Sequence, residues 1–556
     1  MSEVHYVVVG TVAFVLGAVA ISGLAGRIDF PAPIALVLAG VVLSGTGAAV
    51  GVTPDIQLDP DLVLLVFLPP LLYSAALESS YVNIRRNLRP ILQLAVGHVV
   101  FTAAVVACVA HWLTGLPWAV AFVLGAVVAP PDAVAATALG RSLGMPRRAL
   151  TILGGESLLN DATALTLFRL GIAAAAGELS VGRGAGTFLL ASVGGVMIGL
   201  VLAPPIHRLR VRLREPVLEN ALAMILPFAA YVMAESVGAS GVLAVVVLGL
   251  YLGHREVQTT FAARLQARAV WRMLDFVLES VVFLLIGVQA VPIVRAALRD
   301  RGAGELIGYG VAVLLTVIAA RFVWIFATTY PPRWLSRRLR ERDPSPRWQV
   351  PAVLSWAGMR GVVSLAAALA IPHTAVGGPE RALVLYLTVC VVLGTLVVHG
   401  LTLPAVVRRL GVAGREELDD VLAEAQVQHA AARASVARLD MLLTEEPELP
   451  DGVEERLREL AEYRANSAWE RLGGGGPPMP RFRTAPVSRL EEDLDTRELD
   501  APMETPAQAF RRLRREMLDA ERETFVRMRD AGRIDDEVLR RVMNELDLEE
   551  AILARD

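Results

Sequence analysis

Thirteen apolar stretches, each long enough to cross a bilayer as a helix, occupy the first three quarters of this 556-residue chain. A hydrocarbon core of about 30 Å is crossed by roughly 20 apolar residues in a helix. The approximate stretches are 4–25, 32–52, 60–79, 90–113, 117–140, 147–175, 186–205, 216–236, 239–254, 269–293, 304–330, 348–371 and 381–407. They predict an all-α membrane protein with about thirteen transmembrane helices.

Charge divides the chain near residue 410. Residues 1–410 carry 31 arginines against 21 acidic residues, whereas residues 411–556 carry 22 against 35. We therefore predict a transmembrane domain over residues 1–410 and an acidic, helical regulatory tail over residues 411–556. A run rich in glycine and proline at about 473–488 predicts a flexible linker inside the tail. The arginines of the first part lie between apolar stretches and not in one patch, which argues against nucleic-acid binding.

Arginines in the loops predict the orientation in the cell membrane, because positive residues in short loops stay in the cytoplasm. Every odd-numbered stretch is followed by arginines, for example Arg85 and Arg86 after the third and the cluster from Arg333 to Arg347 after the eleventh. Loops after even-numbered stretches are mostly short, neutral or acidic. The N-terminus is thus expected outside the cell and the tail inside.

Two stretches contain residues that should interrupt a helix. Pro130 and Pro131, in the fifth stretch, remove two backbone donors and clash with the preceding turn. Gly358 and Gly361 mark a second weak point in the twelfth. Stretches seven apart run in opposite directions, which predicts inverted repeats with two crossed broken helices and an ion site at the midplane. Two tolerated kinks are the simpler alternative.

Ionisable side chains inside apolar stretches are costly in lipid, so each is a functional candidate by default. The mid-stretch candidates are Asp132, Glu156, Asp161, Arg321 and Arg360. Four further acidic residues lie closer to the ends of their stretches, where snorkelling or capping is the simpler interpretation: Glu78, Glu235, Asp275 and Glu279.

The sixth stretch places four polar side chains on two neighbouring stripes. At about 100° per residue, Ser157 and Asp161 lie one turn apart on one face, and Glu156 and Asn160 form the next stripe. Hard monovalent cations prefer oxygen ligands, which Asp161, Ser157 and the carbonyls freed in the fifth stretch can supply. A lone buried carboxylate could also exchange a proton near neutral pH. The alternative is that Asp161 only pairs with an arginine.

The run Glu156-Ser-Leu-Leu-Asn-Asp-Ala-Thr-Ala resembles the signature of the Na+/H+ exchangers in the monovalent cation/proton antiporter superfamily, in particular the bacterial NhaP-type members. Supporting matches are Phe-Leu-Pro-Pro at 67–70, Ala-Arg-Phe at 320–322 and Gly-Met-Arg-Gly at 358–361. The resemblance covers most of residues 1–410. It implies a secondary transporter, not an enzyme, that exchanges Na+ or Li+ for H+ by alternating access. The resemblance implies a homodimer and does not imply a cofactor.

The resemblance also assigns roles to residues of the sixth stretch. Asp161 would bind the cation and the proton alternately, with Ser157 as a further Na+ ligand. Glu156 would form a structural ion pair with an arginine of the opposite repeat, either Arg321 or Arg360. Which of the two arginines it contacts stays open at this point.

One departure from the family pattern lies in the fifth stretch. Pro131-Asp132-Ala133 stands where the family usually has Thr-Asp-Pro. Without the threonine hydroxyl, only a backbone carbonyl remains at Pro131 as a ligand, so K+/H+ exchange is an alternative to Na+/H+ exchange. The role of Asp132 stays open.

The residue types also predict the stoichiometry. Electrogenic relatives carry a second aspartate where this chain has Asn160, and they use a membrane lysine that can release its proton. This chain has no lysine at all, and arginine stays charged with a pKa above about 12. With Asp161 as the single titrating group, we predict electroneutral exchange of one cation for one proton. Such exchange would serve pH homeostasis.

Two other classes of protein can be weighed against an antiporter whose partners are monovalent cations, protons and membrane lipid. An intramembrane aspartyl protease needs two paired carboxylates, and the usual Gly-x-Gly-Asp context is missing. A membrane sensor that signals through its tail is the other. Proton flux driven by Na+ in liposomes would separate the antiporter from both.

Overall fold

The computed structural model describes residues 3–28, 30–49, 60–177, 181–213, 215–412, 416–446, 449–450, 452–473 and 504–554. These described residues form helices and no strand. The chain divides into two compact units, Met1–Gly414 and Arg415–Asp556. Helix α19 of the first unit ends at Leu410, and Gly411 follows in the left-handed conformation that commonly ends a helix.

The first unit contains nineteen α-helices among its described residues. They are α1 (Glu3–Arg27), α2 (Ala32–Ala49), α3 (Pro60–Leu77), α4 (Tyr81–Arg86), α5 (Leu88–Leu92), α6 (Val99–Thr114), α7 (Trp118–Val128), α8 (Ala133–Ser142), α9 (Arg147–Ala175), α10 (Val181–Leu213), α11 (Pro216–Ser236), α12 (Gly241–His254), α13 (Phe261–Asp300), α14 (Ala303–Thr329), α15 (Pro331–Leu335), α16 (Arg337–Arg342), α17 (Gln349–Trp356), α18 (Val362–Leu369) and α19 (Gly378–Leu410). Each predicted apolar stretch overlaps one of these helices or a run of consecutive ones.

Eight helical segments of the described chain are long and apolar enough to cross a membrane, and four shorter helices are also apolar. The eight are Val9–Arg27, Leu88–Thr114, Arg147–Ala175, Gly186–Leu213, Pro216–Ser236, Phe261–Asp300, Ala303–Leu335 and Gly378–Leu410. The predicted multi-span, all-helical membrane protein is thus found. The number of thirteen membrane crossings stays a prediction. Four of the apolar stretches form only short apolar helices, and the twelfth stretch is split between α17 and α18.

Both predicted helix interruptions are present. Helix α7 ends at Val128 and α8 begins at Ala133, so the two prolines lie in the non-helical residues between them. Helix α17 ends at Trp356 and α18 begins at Val362, with the Gly-Met-Arg-Gly run in the gap. The helices on either side of these gaps pack against α9 and α19 in the apolar core of the unit.

A π-helical turn, Gln93–His98, joins α5 to α6, and the sequence did not predict it. The indole nitrogen of Trp324 on α14 donates a hydrogen bond of 3.0 Å to the carbonyl of Gln93. A π-turn leaves backbone carbonyls available for such partners. His98, the last residue of this turn, is fully buried.

The second unit contains α20 (Glu416–Glu445), α21 (Val453–Gly473), α22 (Pro506–Asp530) and α23 (Asp536–Leu553) among its described residues. Apolar side chains of α20, α21 and α22, including Leu439, Leu457 and Met517, form its core. Fully buried Arg514 donates hydrogen bonds to Glu521 and Glu549. Apart from residue 473, which ends α21, the predicted linker at about 473–488 lies outside the described residues.

An ion-pair network stabilises this second unit at neutral pH. Burial alone would raise the pKa of the Glu549 carboxyl, but the hydrogen bonds from Arg514 and the charge of Arg464 hold that pKa below its usual value. A carboxyl group with a lowered pKa in the folded state stabilises the fold above its unfolded pKa, and this contribution is lost as the pH falls through the lowered value.

Candidate functional site

The two helix interruptions meet in the interior of the first unit. The backbone N–H of Asp132, in the gap after α7, donates a hydrogen bond of 2.7 Å to the carbonyl of Met359 in the gap after α17. Pro130 and Pro131 have no N–H, so they leave the last carbonyls of α7 without their helical donors. The interruptions therefore bring free backbone groups and charged side chains of two distant segments to one place.

Each interruption carries a charge that suits the helix end it meets. A guanidinium nitrogen of Arg360 donates to the carbonyl of Ala129 at the end of α7, where a helix favours a positive charge. The carboxyl group of Asp132 lies against Gly361, directly before α18, where a helix favours a negative charge. Arg360 is almost fully buried, and two of its other nitrogens have no partner among the described residues.

Gly361 provides the space in which Asp132 lies, and this gives a first prediction. A Cβ atom at Gly361 would overlap the Asp132 carboxyl group, and overpacking of this kind costs about 1–3 kcal/mol. We expect Gly361→Ala to lower the melting temperature of the protein. Gly308→Ala on α14 is the matched control, since a Cβ there meets no atom within 4 Å. Equal melting temperatures in the two variants would contradict the close contact between Gly361 and Asp132.

Helix α9 contacts the first of the two interruptions through Asn160. The Asn160 amide nitrogen donates a hydrogen bond of 2.6 Å to the carbonyl of Pro131, and the residue is fully buried. Its amide oxygen has no partner among the described residues. Two of the predicted site residues, Asn160 and Pro131, are thus in direct contact.

Glu156 pairs with Arg321 on α14. Two guanidinium nitrogens of Arg321 donate to the two carboxylate oxygens at 2.6 and 2.8 Å, and both side chains are 1% exposed. The remaining Nε of Arg321 donates to the carbonyl of Leu354. A Cβ at Gly358 would overlap the Arg321 side chain, so this glycine makes room for the pair. Arg360, the other partner offered by the sequence, bonds to the backbone of Ala129 instead.

Asp161 differs from Glu156, because the described residues provide no ion-pair partner for it. Its side chain is 8% exposed, and within the described part of the chain no hydrogen bond or ion pair engages its oxygens. The carboxyl group of Asp132 is close enough for the two negative charges to repel each other. Ser157 precedes Asp161 by one turn on α9 and is half-buried. The site thus contains a buried carboxylate without an ion-pair partner among the described residues.

Asp275 lies further inside the protein than its place in the sequence suggests. Helix α13 extends over Phe261–Asp300, well beyond the predicted stretch on both sides. The hydroxyl of Ser74 on α3 donates a hydrogen bond of 2.5 Å to the Asp275 carboxylate. Glu279, one turn further along α13, is close enough to Asp132 for the two charges to interact. Helix α13 therefore adds two acidic side chains, Asp275 and Glu279, to the surroundings of Asp132.

Sequence reasoning missed two contacts of the site. The Nδ1 atom of His98 lies 3.8 Å from the Glu156 carboxylate, and its position depends on the π-turn, which no sequence signal marked. The hydroxyl of Thr395 on α19 accepts a hydrogen bond of 3.0 Å from the backbone N–H of Arg360. A polar threonine inside an otherwise apolar stretch was the available signal for the second contact.

Known proteins resemble this chain in sequence over most of its length. The family model described as sodium/hydrogen exchanger, transmembrane, matches residues 11–409. An uncharacterized Na+/H+ exchanger of Mycobacterium tuberculosis is 36% identical over 529 residues, which cover 92% of this chain and 91% of that protein. A sodium, potassium, lithium and rubidium/H+ antiporter of Bacillus subtilis is 32% identical over 413 residues, or 71% of this chain and 60% of that protein.

The fold also resembles that of a solved structure. The sodium proton antiporter MjNhaP1 from Methanocaldococcus jannaschii matches with a TM-score of 0.56, over 74% of this chain and 99% of that one. Only 16% of the residues are identical. The likeness therefore concerns the arrangement of the helices.

Proposed function

The chain belongs to the sodium/hydrogen exchanger family, and on that premise we propose that it exchanges Na+ or Li+ for H+ at a single carboxylate, Asp161. The observation that carries the proposal is a buried aspartate beside two helix interruptions that contact each other, without an ion-pair partner in the described part of the chain. A charge in such a place is stable only when it is neutralised. A cation and a proton would neutralise it in turn.

Oxygen atoms beside Asp161 support a cation as one of its two partners. Ser157 lies one helical turn before it, and the Pro131 carbonyl is held near α9 by the Asn160 amide. Asp132 adds a second negative charge that favours a cation over an empty site. Na+ would bind to Asp161 and Ser157, with backbone oxygen from the fifth stretch.

Alternating access would move one half of the transmembrane unit against the other around this site. The reciprocal contacts support such inverted halves, because Arg360 meets the end of α7 while Asp132 meets the start of α18. We propose about thirteen transmembrane helices in inverted repeats, with the N-terminus outside and the tail in the cytoplasm. The family resemblance adds a homodimer to the proposal.

The charges around the site support electroneutral exchange. Glu156 is neutralised by Arg321 at 2.6 Å, Asn160 carries no charge, and arginine keeps its proton. The start of α18 stabilises the negative charge of Asp132. Asp161 would then be the only group that changes its charge, with one cation or one proton in each half-cycle.

A membrane potential should therefore leave the Na+/H+ equilibrium unchanged. Transfer of one net charge would shift it by about 2.3 kcal/mol for a potential of about 100 mV. The measurement uses proteoliposomes with the potential set by valinomycin and a K+ gradient, compared with vesicles that have equal K+ on both sides. A shift of the Na+ gradient at which proton flux stops would contradict single-site exchange.

Exchange of K+ is the second candidate. The Bacillus subtilis relative is named for sodium, potassium, lithium and rubidium, and Pro131 offers a carbonyl but no hydroxyl at the site. Proton flux driven by Na+, Li+ and K+ in the same vesicles, without valinomycin, would distinguish the two candidates.

We propose that the second unit is a regulatory or assembly module. Its helices have their own apolar core, and its acidic residues outnumber its arginines by 35 to 22 over residues 411–556. Neither feature is needed to bind an ion at Asp161.

A further inference from the structure

A groove next to α15 and α16 combines arginines with exposed apolar side chains. A cavity of about 670 Å³ is lined by Tyr330, Pro331, Arg333, Trp334, Leu335, Arg340 and Ser345. Trp334 is 81% exposed and Leu335 is 78% exposed. We call these seven residues the 330–345 groove. Contiguous exposed apolar side chains rimmed by polar residues mark sites of interaction with a ligand, a protein or a membrane.

The segment around the groove has a surplus of positive charge. Residues 333–347 contain six arginines against two acidic residues, Glu341 and Asp343. Glu341 pairs with Arg337 at 2.9 Å, and Asp343 pairs with Arg148 and Arg333 at 2.8 and 2.5 Å. Both acidic side chains are therefore paired with arginines other than Arg340.

Arg333 and Asp343 fix the wall of the groove. Arg333 donates to the carbonyls of Thr329 and Asp343 as well as to the Asp343 carboxylate. Burial alone would raise the pKa of Asp343, but Arg148 and Arg333 hold that pKa below its usual value. Asp343 therefore stays charged at neutral pH and stays paired with Arg148 and Arg333. Arg340, which is exposed, has no ion pair within the described part of the chain.

We propose that the 330–345 groove binds the headgroup of an anionic phospholipid. The phosphate would bind Arg340, with Arg333 beside it, because a guanidinium group matches phosphate oxygens in shape and charge. Trp334 and Leu335 would enter the boundary between headgroups and acyl chains, where tryptophan is commonly found. The ligand must carry a negative charge and apolar chains together, since the groove presents arginine and exposed apolar side chains side by side.

The place of the groove in the chain favours lipid over other anionic ligands. The apolar segment Ala303–Leu335 is long enough to cross the membrane and ends within the groove. Arg333 and Arg340 of the groove therefore lie where a membrane-spanning segment reaches the membrane surface. The acidic tail could neutralise the arginines, but it would not explain why Trp334 and Leu335 are exposed beside them. The proposal does not depend on which cation the protein transports.

The test compares full-length variants in nanodiscs of phosphatidylcholine with a minor share of phosphatidylglycerol. After mild detergent extraction, mass spectrometry measures the ratio of the two lipids retained by the protein. We expect wild type to enrich phosphatidylglycerol over the bulk ratio. Trp334→Ala combined with Arg340→Gln should lower this enrichment about fivefold or more, as expected for one surface arginine lost.

Two further variants make the result specific. Arg212→Gln removes one exposed arginine at the end of α10, outside the groove, and should leave the enrichment unchanged. Trp334→Phe combined with Arg340→Lys keeps the aromatic ring and the charge and should retain most of it. Equal losses in Arg212→Gln and in the groove variant would overturn the proposal. Unchanged lipid retention in the groove variant, with new hydrogen exchange in α20, would assign the groove to the acidic tail instead.

Discussion

Asp161→Asn is expected to reduce Na+-driven proton flux to the level of protein-free vesicles. An amide cannot release a proton in the working pH range, and it attracts a cation far less than a carboxylate does. Asparagine has nearly the same shape, and the Asp161 oxygens have no hydrogen bond to lose within the described part of the chain. The variant should therefore insert and melt like wild type. Flux in proteoliposomes, measured with a pH-sensitive dye, tests the first expectation.

A second aspartate provides the control for this loss. Asp300 is exposed and is the last residue of α13. Asp300→Asn therefore changes the same chemical group away from Asp132 and Asp161, and this variant should keep normal flux. Asp161→Glu would separate charge from geometry, since it keeps the carboxylate but moves it by one methylene group. Normal Na+-driven flux in Asp161→Asn would refute the assignment of the ion site.

The helix interruptions could be predicted because they follow from local chemistry. Pro130 and Pro131 cannot donate backbone hydrogen bonds, so the sequence alone predicts that α7 ends close to Val128. The long apolar stretches likewise indicated helices, since length and composition are local properties. The π-turn at Gln93–His98 had no such local signal, because its residues would suit an ordinary helix equally well.

The partner of Glu156 could not be predicted, because helical spacing gives no distance between two helices. Arg321 and Arg360 both lie within apolar stretches, and both were possible. The structure pairs Glu156 with Arg321, for which Gly358 leaves space, while Arg360 turns to the carbonyl of Ala129. The choice depends on how α9, α14 and α17 pack, which is a property of the whole fold.

Helix packing also explains why Asp161 stands apart from the other acidic residues of the site. Glu156 lies on the side of α9 that faces α14, where an arginine neutralises it. Asp161 is five residues further along and is near enough to Asp132, which carries the same sign of charge, for the two carboxylates to repel each other. One helix thus carries a carboxylate that is paired with an arginine and, five residues later, a carboxylate without an ion-pair partner among the described residues.

Glu156→Gln is expected to cause the largest loss of stability of any change at the site. Both members of the pair with Arg321 are 1% exposed, and the guanidinium group would lose two hydrogen bonds to a charged acceptor. A buried charge left without its partner costs about 3–5 kcal/mol. The detergent-solubilised variant should melt at a clearly lower temperature than wild type, or insert in reduced amount.

A double variant distinguishes a stranded charge from a general packing defect. Glu156→Leu with Arg321→Met removes both charges, and replacing a buried pair by apolar residues of similar volume is often neutral. This protein should therefore melt at a higher temperature than Glu156→Gln, with some loss remaining because the Leu354 carbonyl loses its donor. Glu341→Gln, which breaks an exposed pair with Arg337, should leave melting unchanged. If Glu156→Gln melted like wild type, the Glu156–Arg321 pair would contribute nothing to the fold, and the distinction between a fixed Glu156 and a titrating Asp161 would lose its basis.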